Sequence, residues 1–175
     1  NKNKVFNLNK YDLIENFNLK TSNKLQRYNF FYLRFILNKK EIKNKYKTTK
    51  LIINYLDSSI NRKIIDFWDP YVSSLRLINL IKFISITKID NAKLNSYLFH
   101  HFKVIKKNLE FRLGANHLLT NLIAIKCFET IYNKDDQKFD LFNELFVKAL
   151  KEQINNYGEH YELSPMYQSI ILEQL

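Results

Sequence analysis

Glycine, proline and cysteine are all scarce in this chain, with two Gly, two Pro and one Cys among 175 residues. Hairpin-rich β architecture relies on such residues for its reversals, so their shortage leaves long helices as the expected alternative. One cysteine excludes an intrachain disulfide, and the place of Cys127 in the apolar run Leu122 to Phe128 makes it a small buried hydrophobe. Histidine is sparse too: the four present are dispersed without the ligand spacing of a metal site. Long hydrophobic runs are missing. The longest, Leu75 to Ile86, is interrupted by Arg76, Asn79 and Lys82, which excludes an ordinary membrane span. The polar string Asn1 to Lys4 has none of the charged-then-apolar character of a leader, so no signal peptide is expected in these residues.

What is abundant is positive charge. Lys and Arg number 28 against 17 Asp and Glu, for a net charge of +11 and a pI near 9.6. Such a surface concentrates polyanions, whether nucleic acid, anionic membrane or acidic polysaccharide. AT-rich codons raise Lys, Asn and Ile together, however, and this chain is full of all three, so charge alone selects no partner. Apolar residues make up 46% of the chain, enough for one domain with its own core. Aromatic content of 15% with this charge also suits a helical module that binds RNA or another polyanion without chemistry. No nucleic-acid recognition motif appears, and nucleic acid is not the expected partner.

The periodicity predicts an all-α chain. Residues 1–24 read as an irregular lead-in with one short helix around Tyr11 to Phe17. Helices are then expected over Gln26 to Leu37, Glu41 to Ile60, Tyr71 to Thr87, Asn95 to Leu113, Leu118 to Tyr132 and Phe142 to Ile154, with a last one after Ser164-Pro165. The string DFWDP, Asp66 to Pro70, should break the pattern because proline disfavours a helical residue before it. Gly114 should end one helix, Asn116 should cap the next, and Asn133 to Gln137 should be a polar loop. The helices of Tyr71 to Thr87 and Leu118 to Tyr132 are apolar almost all round, whereas their neighbours are amphipathic. Alternation of that kind predicts two concentric layers of antiparallel helices, as in an α/α toroid. Arg76, Asn79 and Lys82 would form a polar stripe fit to line a cleft or to reach solvent between helices.

Several strings carry a more specific signal. LQRYNFFYLRFI (Leu25 to Ile36), WDPYVSSLRLINLIKFI (Trp68 to Ile84), LEFRLGANHLLTNLIA (Leu109 to Ala124) and YGEHYELSPMYQSIILE (Tyr157 to Glu173) resemble, in order, motifs of the bacterial heparinase II/III family of polysaccharide lyases. The family forms of the last two read close to GNHLL and GGHFERSPMYH. This chain departs from the pattern at Glu159 in place of glycine, Leu163 in place of arginine, Gln168 in place of histidine and Leu80 in place of tryptophan.

The resemblance implies a partial α/α toroid over residues 25–175, followed in family members by a β-sandwich domain that supplies further active-site residues and, in some, a metal. It implies no cofactor in this segment, inactivity of the segment alone, and a periplasmic or secreted setting. It also implies β-elimination: a proton leaves C5 of a uronate and the C4 oxygen departs, giving an unsaturated sugar. The charged carboxylate beside C5 must be offset for this to occur. On the family pattern Asn116 would do so, His117 would share in carboxylate binding or in proton handling, and Tyr167 would exchange protons as base or acid, the three converging on one sugar-sized hollow. Arg76, Tyr71 and His160 would bind acidic groups or stack on sugar rings, while His100 and His101 read as structural or surface residues. From spacing alone Asn116 is equally well a helix cap, His117 a satisfied polar residue and Tyr167 an amphipathic residue in a first helical turn.

Overall fold

The computed structural model describes residues 23–61, 64–112, 115–132 and 141–174. Among them are eight α-helices, two short 3-10 helices and no strand. Helix α1 (Lys24–Phe31) begins with a capping box, in which the Asn23 side chain accepts from Gln26 N–H and the Gln26 side chain accepts from Asn23 N–H. The pair satisfies two otherwise orphaned donors. The helix stops well short of the expected Leu37. Leu33 takes a left-handed backbone, φ 57°, and Arg34–Leu37 continues as a 3-10 turn. Phe30, Phe31, Leu33 and Ile36 are all buried. On one continuous helix they would point around most of its circumference, and the reversal at Leu33 lets all of them reach the core.

The helix expected over Glu41 to Ile60 is likewise divided, into α2 (Lys39–Lys43) and α3 (Lys45–Asn61). Thr48 fastens the joint by donating to the Glu41 backbone and carboxylate, both at 3.0 Å. The DFWDP string behaves as proline chemistry requires: Ile65–Trp68 is a 3-10 turn, Asp69 is non-helical, and Pro70 is the first residue of α4 (Pro70–Thr87).

Helix α5 (Ala92–Lys107) is capped by Asn91, whose side chain accepts from Leu94 N–H at 3.0 Å. It ends before the expected Leu113. The Asn108 amide folds back onto Val104 O at 2.8 Å, bonding locally as Asn does at helix ends. Helix α6 (Ala115–Tyr132) includes Asn116 as its second residue, so Asn116 is not the cap that the spacing suggested. Helices α7 (Leu141–Gln153) and α8 (Pro165–Gln174) follow. The expected short helix at Tyr11 to Phe17, the stop at Gly114 and the loop Asn133 to Gln137 lie outside the described residues.

The two helices that are apolar all round pack on each other. Helix α4 lies against α5 and α6, while α6 also meets α5, α7 and α8. Helices α4 and α6 are buried almost all round, with Leu77, Leu80 and Phe83 of one and Leu119, Leu122 and Ile125 of the other fully buried, and Asn121 of α6 donates to Ser74 Oγ of α4 at 3.0 Å where the two meet. Each such side chain contributes about 1.5–3 kcal/mol by leaving water. This seam fixes the relative positions of Tyr71, near the start of α4, and His117, near the start of α6. Among the described residues no helix is long and apolar enough to cross a membrane.

Candidate functional site

The stripe Arg76, Asn79 and Lys82 faces neighbouring backbone. Asn79 donates to Tyr32 O at 2.8 Å and Lys82 to Glu173 O at 2.8 Å. Arg76 is fully buried. It donates to Phe67 O at 2.7 Å, Phe31 O at 3.2 Å, Ser73 Oγ at 3.4 Å and His101 Nε2 at 2.7 Å, and its guanidinium lies 3.5 Å from the centre of the Phe67 ring. Arg76 was expected among the sugar-binding residues; the structure makes it a core tie between α1, the 3-10 turn before α4, and α5. Burial pulls its pKa down to about 9, which leaves it charged at neutral pH. His101 must accept at Nε2, so its Nδ1–H donates to Tyr97 O at 2.7 Å. Burial, then the adjacent guanidinium, pushes the His101 pKa well below its ordinary value. His101 is thus structural, and exposed His100 packs edge-on against Trp68.

Other motif residues do meet. The His117 ring stacks on Tyr71 with centroids 4.3 Å apart and planes inclined by 29°. Tyr71 in turn packs edge-on against Tyr32, 6.2 Å away. Burial raises the Tyr71 pKa; Glu110 and the nearby Tyr167 phenol raise it further, against a hydrogen bond with Thr120 that lowers it. Tyr167 carries the cluster onward, because its ring stacks with His160 at 5.9 Å and 22°. Tyr71 with His117 and Tyr167 with His160 therefore form two stacked pairs, supplied by α4, α6, α8 and the turn before α8, near enough for the Tyr167 phenol to raise the Tyr71 pKa. Among the described residues no group hydrogen-bonds the Tyr167 hydroxyl or the Asn116 amide. Asn116 is half-buried at the start of α6, and no hydrogen bond joins it to the others.

The turn that presents His160 is braced from both sides. Ile154 and His160 form an isolated bridge, Gly158 supplies the positive φ of 82° that the reversal needs, and Asn155 ties to Glu159. Gln168 then clamps the turn onto α8, accepting from His160 N–H at 2.6 Å and donating to Gly158 O at 3.0 Å. Leu163 is exposed and left-handed, φ 50°. His160 is buried; its Nδ1 accepts from Glu162 N–H at 3.3 Å, and its Nε2 has no partner among the described residues.

No family model matches the chain, and no solved structure matches it. Protein Ycf2 of Marchantia polymorpha is 27% identical over 144 residues, which cover 73% of this chain and 6% of that protein. The chain thus spans a small part of the length of the relative it matches, and this likeness assigns no family.

The arrangement offers a partly exposed aromatic face with the His117 imidazole on it and the Tyr167 phenol, which no group hydrogen-bonds among the described residues, nearby. Planar rings of this kind stack on sugars or bases, and the imidazole and phenol are the side chains suited to proton exchange. Sequence reasoning missed Glu110, which bonds His117 Nδ1 at 3.2 Å, and Asn121, which bonds Glu110. Both stand in the string Leu109 to Ala124, where Glu110 precedes His117 by two helical turns' worth of chain. Glu110 lies outside α5 and α6, so the pair does not share a helix and periodicity carried no signal. Among the described residues no group of three or more His, Cys, Asp or Glu is placed to hold a metal.

Proposed function

We propose that this chain is the helical part of a bacterial polysaccharide lyase of the heparinase II/III type, cleaving an acidic, uronate-containing polysaccharide by β-elimination. The observation that carries the reading is the stacking of His117 on Tyr71, with the Tyr167 phenol near enough to raise the Tyr71 pKa. These residues come from separate motif strings of the heparinase II/III pattern. In this reading the apolar pair α4 and α6 belongs to the inner layer of an α/α toroid, the amphipathic helices to its outer layer, and a β-sandwich completes the site. A periplasmic or secreted location accompanies it.

Tyr71 stacks on the sugar, Asn116 meets the uronate carboxylate at the start of α6, where backbone N–H groups and the helix dipole favour an anion, and His117 beside it handles a proton. Tyr167, whose hydroxyl has no partner among the described residues, protonates the departing C4 oxygen or takes the C5 proton. The charge of +11 draws the polyanion in. The test is to incubate the full-length protein with heparan-type, alginate-type and other acidic glycans and follow ultraviolet absorbance of unsaturated uronate. Absence of product from every uronate polymer would sink the lyase reading.

A second reading is favoured by Gln168 and Leu163. Where the family has a histidine, both ends of Gln168 hold the turn, and where arginine is common the chain has an exposed leucine. A non-catalytic polyanion-binding relative would show saturable glycan binding and no product.

A further inference from the structure

Glu110 is held on its inner side by bonds whose directions can all be assigned. Its backbone N–H donates to Asn121 Oδ1 at 3.1 Å. The Asn121 NH2 therefore points the other way, donating to Ser74 Oγ at 3.0 Å and to Glu110 Oε2 at 3.2 Å. Asn121 and Ser74 are fully buried, so this orientation has no solvent-bonded alternative. One carboxylate oxygen is thereby committed to Asn121, and the other faces His117 Nδ1 at 3.2 Å. A carboxylate only accepts, so Nδ1 must carry a hydrogen; a neutral imidazole has only one, and Nε2 keeps its lone pair.

We infer that Glu110 is a positioning residue: through Asn121 and Ser74 it locks His117 in the Nδ1–H tautomer and so presents Nε2 as a proton acceptor to a ligand lying against Tyr71. The identity of that ligand rests on the lyase reading, whereas the lock is a property of the chain itself. In the elimination, the C5 proton passes to Nε2 and its bonding pair forms the new C4–C5 double bond. The C4 oxygen leaves with its own pair and takes the Tyr167 hydroxyl proton. The imidazolium so formed remains paired with the Glu110 carboxylate, which stabilises the charge it has gained.

The test reads the tautomer directly, by nitrogen NMR of histidine rings labelled with 15N in the intact protein, with His117→Gln identifying the signals. With the ring neutral, the wild type should show a protonated Nδ1 and a bare Nε2. In Glu110→Gln, Asn121 still needs an oxygen opposite its NH2, so the new amide turns its own NH2 toward His117. Nδ1 must then accept, and the tautomer should flip to Nε2–H. A merely structural role for Glu110 would not move that signature. An Nε2–H form in the wild type overturns the inference even where Glu110→Gln does not fold, and so does a folded Glu110→Gln that keeps Nδ1–H. On a uronate polymer that the full-length enzyme cleaves, Glu110→Gln should lower kcat on the order of a hundredfold with little change in KM; an unchanged kcat beside a flipped tautomer overturns the catalytic part. A flipped tautomer in a protein that cleaves no polymer leaves the lock standing and sinks the lyase reading instead.

Discussion

His101 on α5 and His117 on α6 are both neighbours of α4, and both use Nδ1 for an internal bond. At His101 the second nitrogen is also taken, by the buried Arg76, and the ring is sealed from solvent. At His117 the second nitrogen has no partner among the described residues, and the side chain is 36% exposed. The difference separates two uses of the same chemistry. A polar group satisfied on every side fixes helices relative to one another, whereas one anchored on its inner side alone is oriented and still has an atom to offer. Motif strings mix the two kinds: Arg76 and Tyr71 lie in one string, yet Arg76 closes the core and Tyr71 faces His117.

The strongest way to break this comparison is to remove one member of each pair. Arg76→Ala leaves Phe31 O, Phe67 O and His101 without their donor and opens a void, so it should destabilise the protein by about 3–5 kcal/mol. His117→Gln, at a half-open position, should cost less than about 1 kcal/mol. Urea unfolding of both variants checks the pair, and equal losses would show that the two sites are not different in kind.

Turnover should rank the same regions in the opposite order. If the full-length protein is the lyase proposed above, Tyr167→Phe should lower kcat on the order of a hundredfold or more while unfolding free energy stays within about 0.5 kcal/mol of wild type. Asn116→Ala should lower kcat more than it raises KM, because its amide is assigned to charge that develops in the transition state. Near-normal turnover of Tyr167→Phe on a substrate the wild type cleaves would remove Tyr167 from the chemistry.

These contrasts mark how far residue patterns reach. Helix positions set by local chemistry were legible: Pro70 starts α4 and α8 begins at Pro165, because proline acts on its immediate neighbours. Boundaries set by tertiary demands were not. Leu33 breaks α1 because four apolar residues must all reach one core, and the α2–α3 joint depends on Thr48 meeting Glu41. Convergence of Asn116, His117 and Tyr167 was expected only from motif likeness, since nothing in spacing relates separate helices; the ring that stacks on His117 is Tyr71, and no hydrogen bond joins Asn116 to it among the described residues. The burial of Arg76 was hidden for a similar reason. A polar residue at every third position of an apolar helix reads as a solvent-facing stripe until its carbonyl partners on other elements are known.

Acid should loosen the sealed site before it affects carboxylate pairs. Because the His101 pKa is depressed in the folded protein, its contribution to stability is complete above the unfolded value of about 6.5 and is lost as pH falls toward the folded value. Within that interval the unfolded chain binds the extra proton, and stability should decline by up to about 1.4 kcal/mol per pH unit. Asp57 is shifted down chiefly by its hydrogen bonds from Lys93 and Tyr97, so its contribution fades only below the carboxylate range. Denaturation midpoints measured from pH 7.5 downward in His101→Asn should fall less steeply than in the wild type. Parallel slopes would mean that another group controls the acid limb.

The smallest expected effect has the opposite sign and concerns the turn that carries His160. Leu163 holds a left-handed backbone, φ 50°, with its side chain largely in solvent, so it bears the steric cost of that conformation and recovers little by burial. Asparagine enters the same region more readily. Leu163→Asn should therefore stabilise the protein by about 0.5 kcal/mol and slow amide exchange at Leu163, whose N–H bonds His160 O at 2.8 Å. Because Gln168 already clamps this turn to α8, stiffening it should leave the His117 tautomer unchanged. A shift of the His117 ring nitrogens in Leu163→Asn would instead couple the turn to the Glu110 side of the cluster, and the division between closed and open sites would need redrawing to include it.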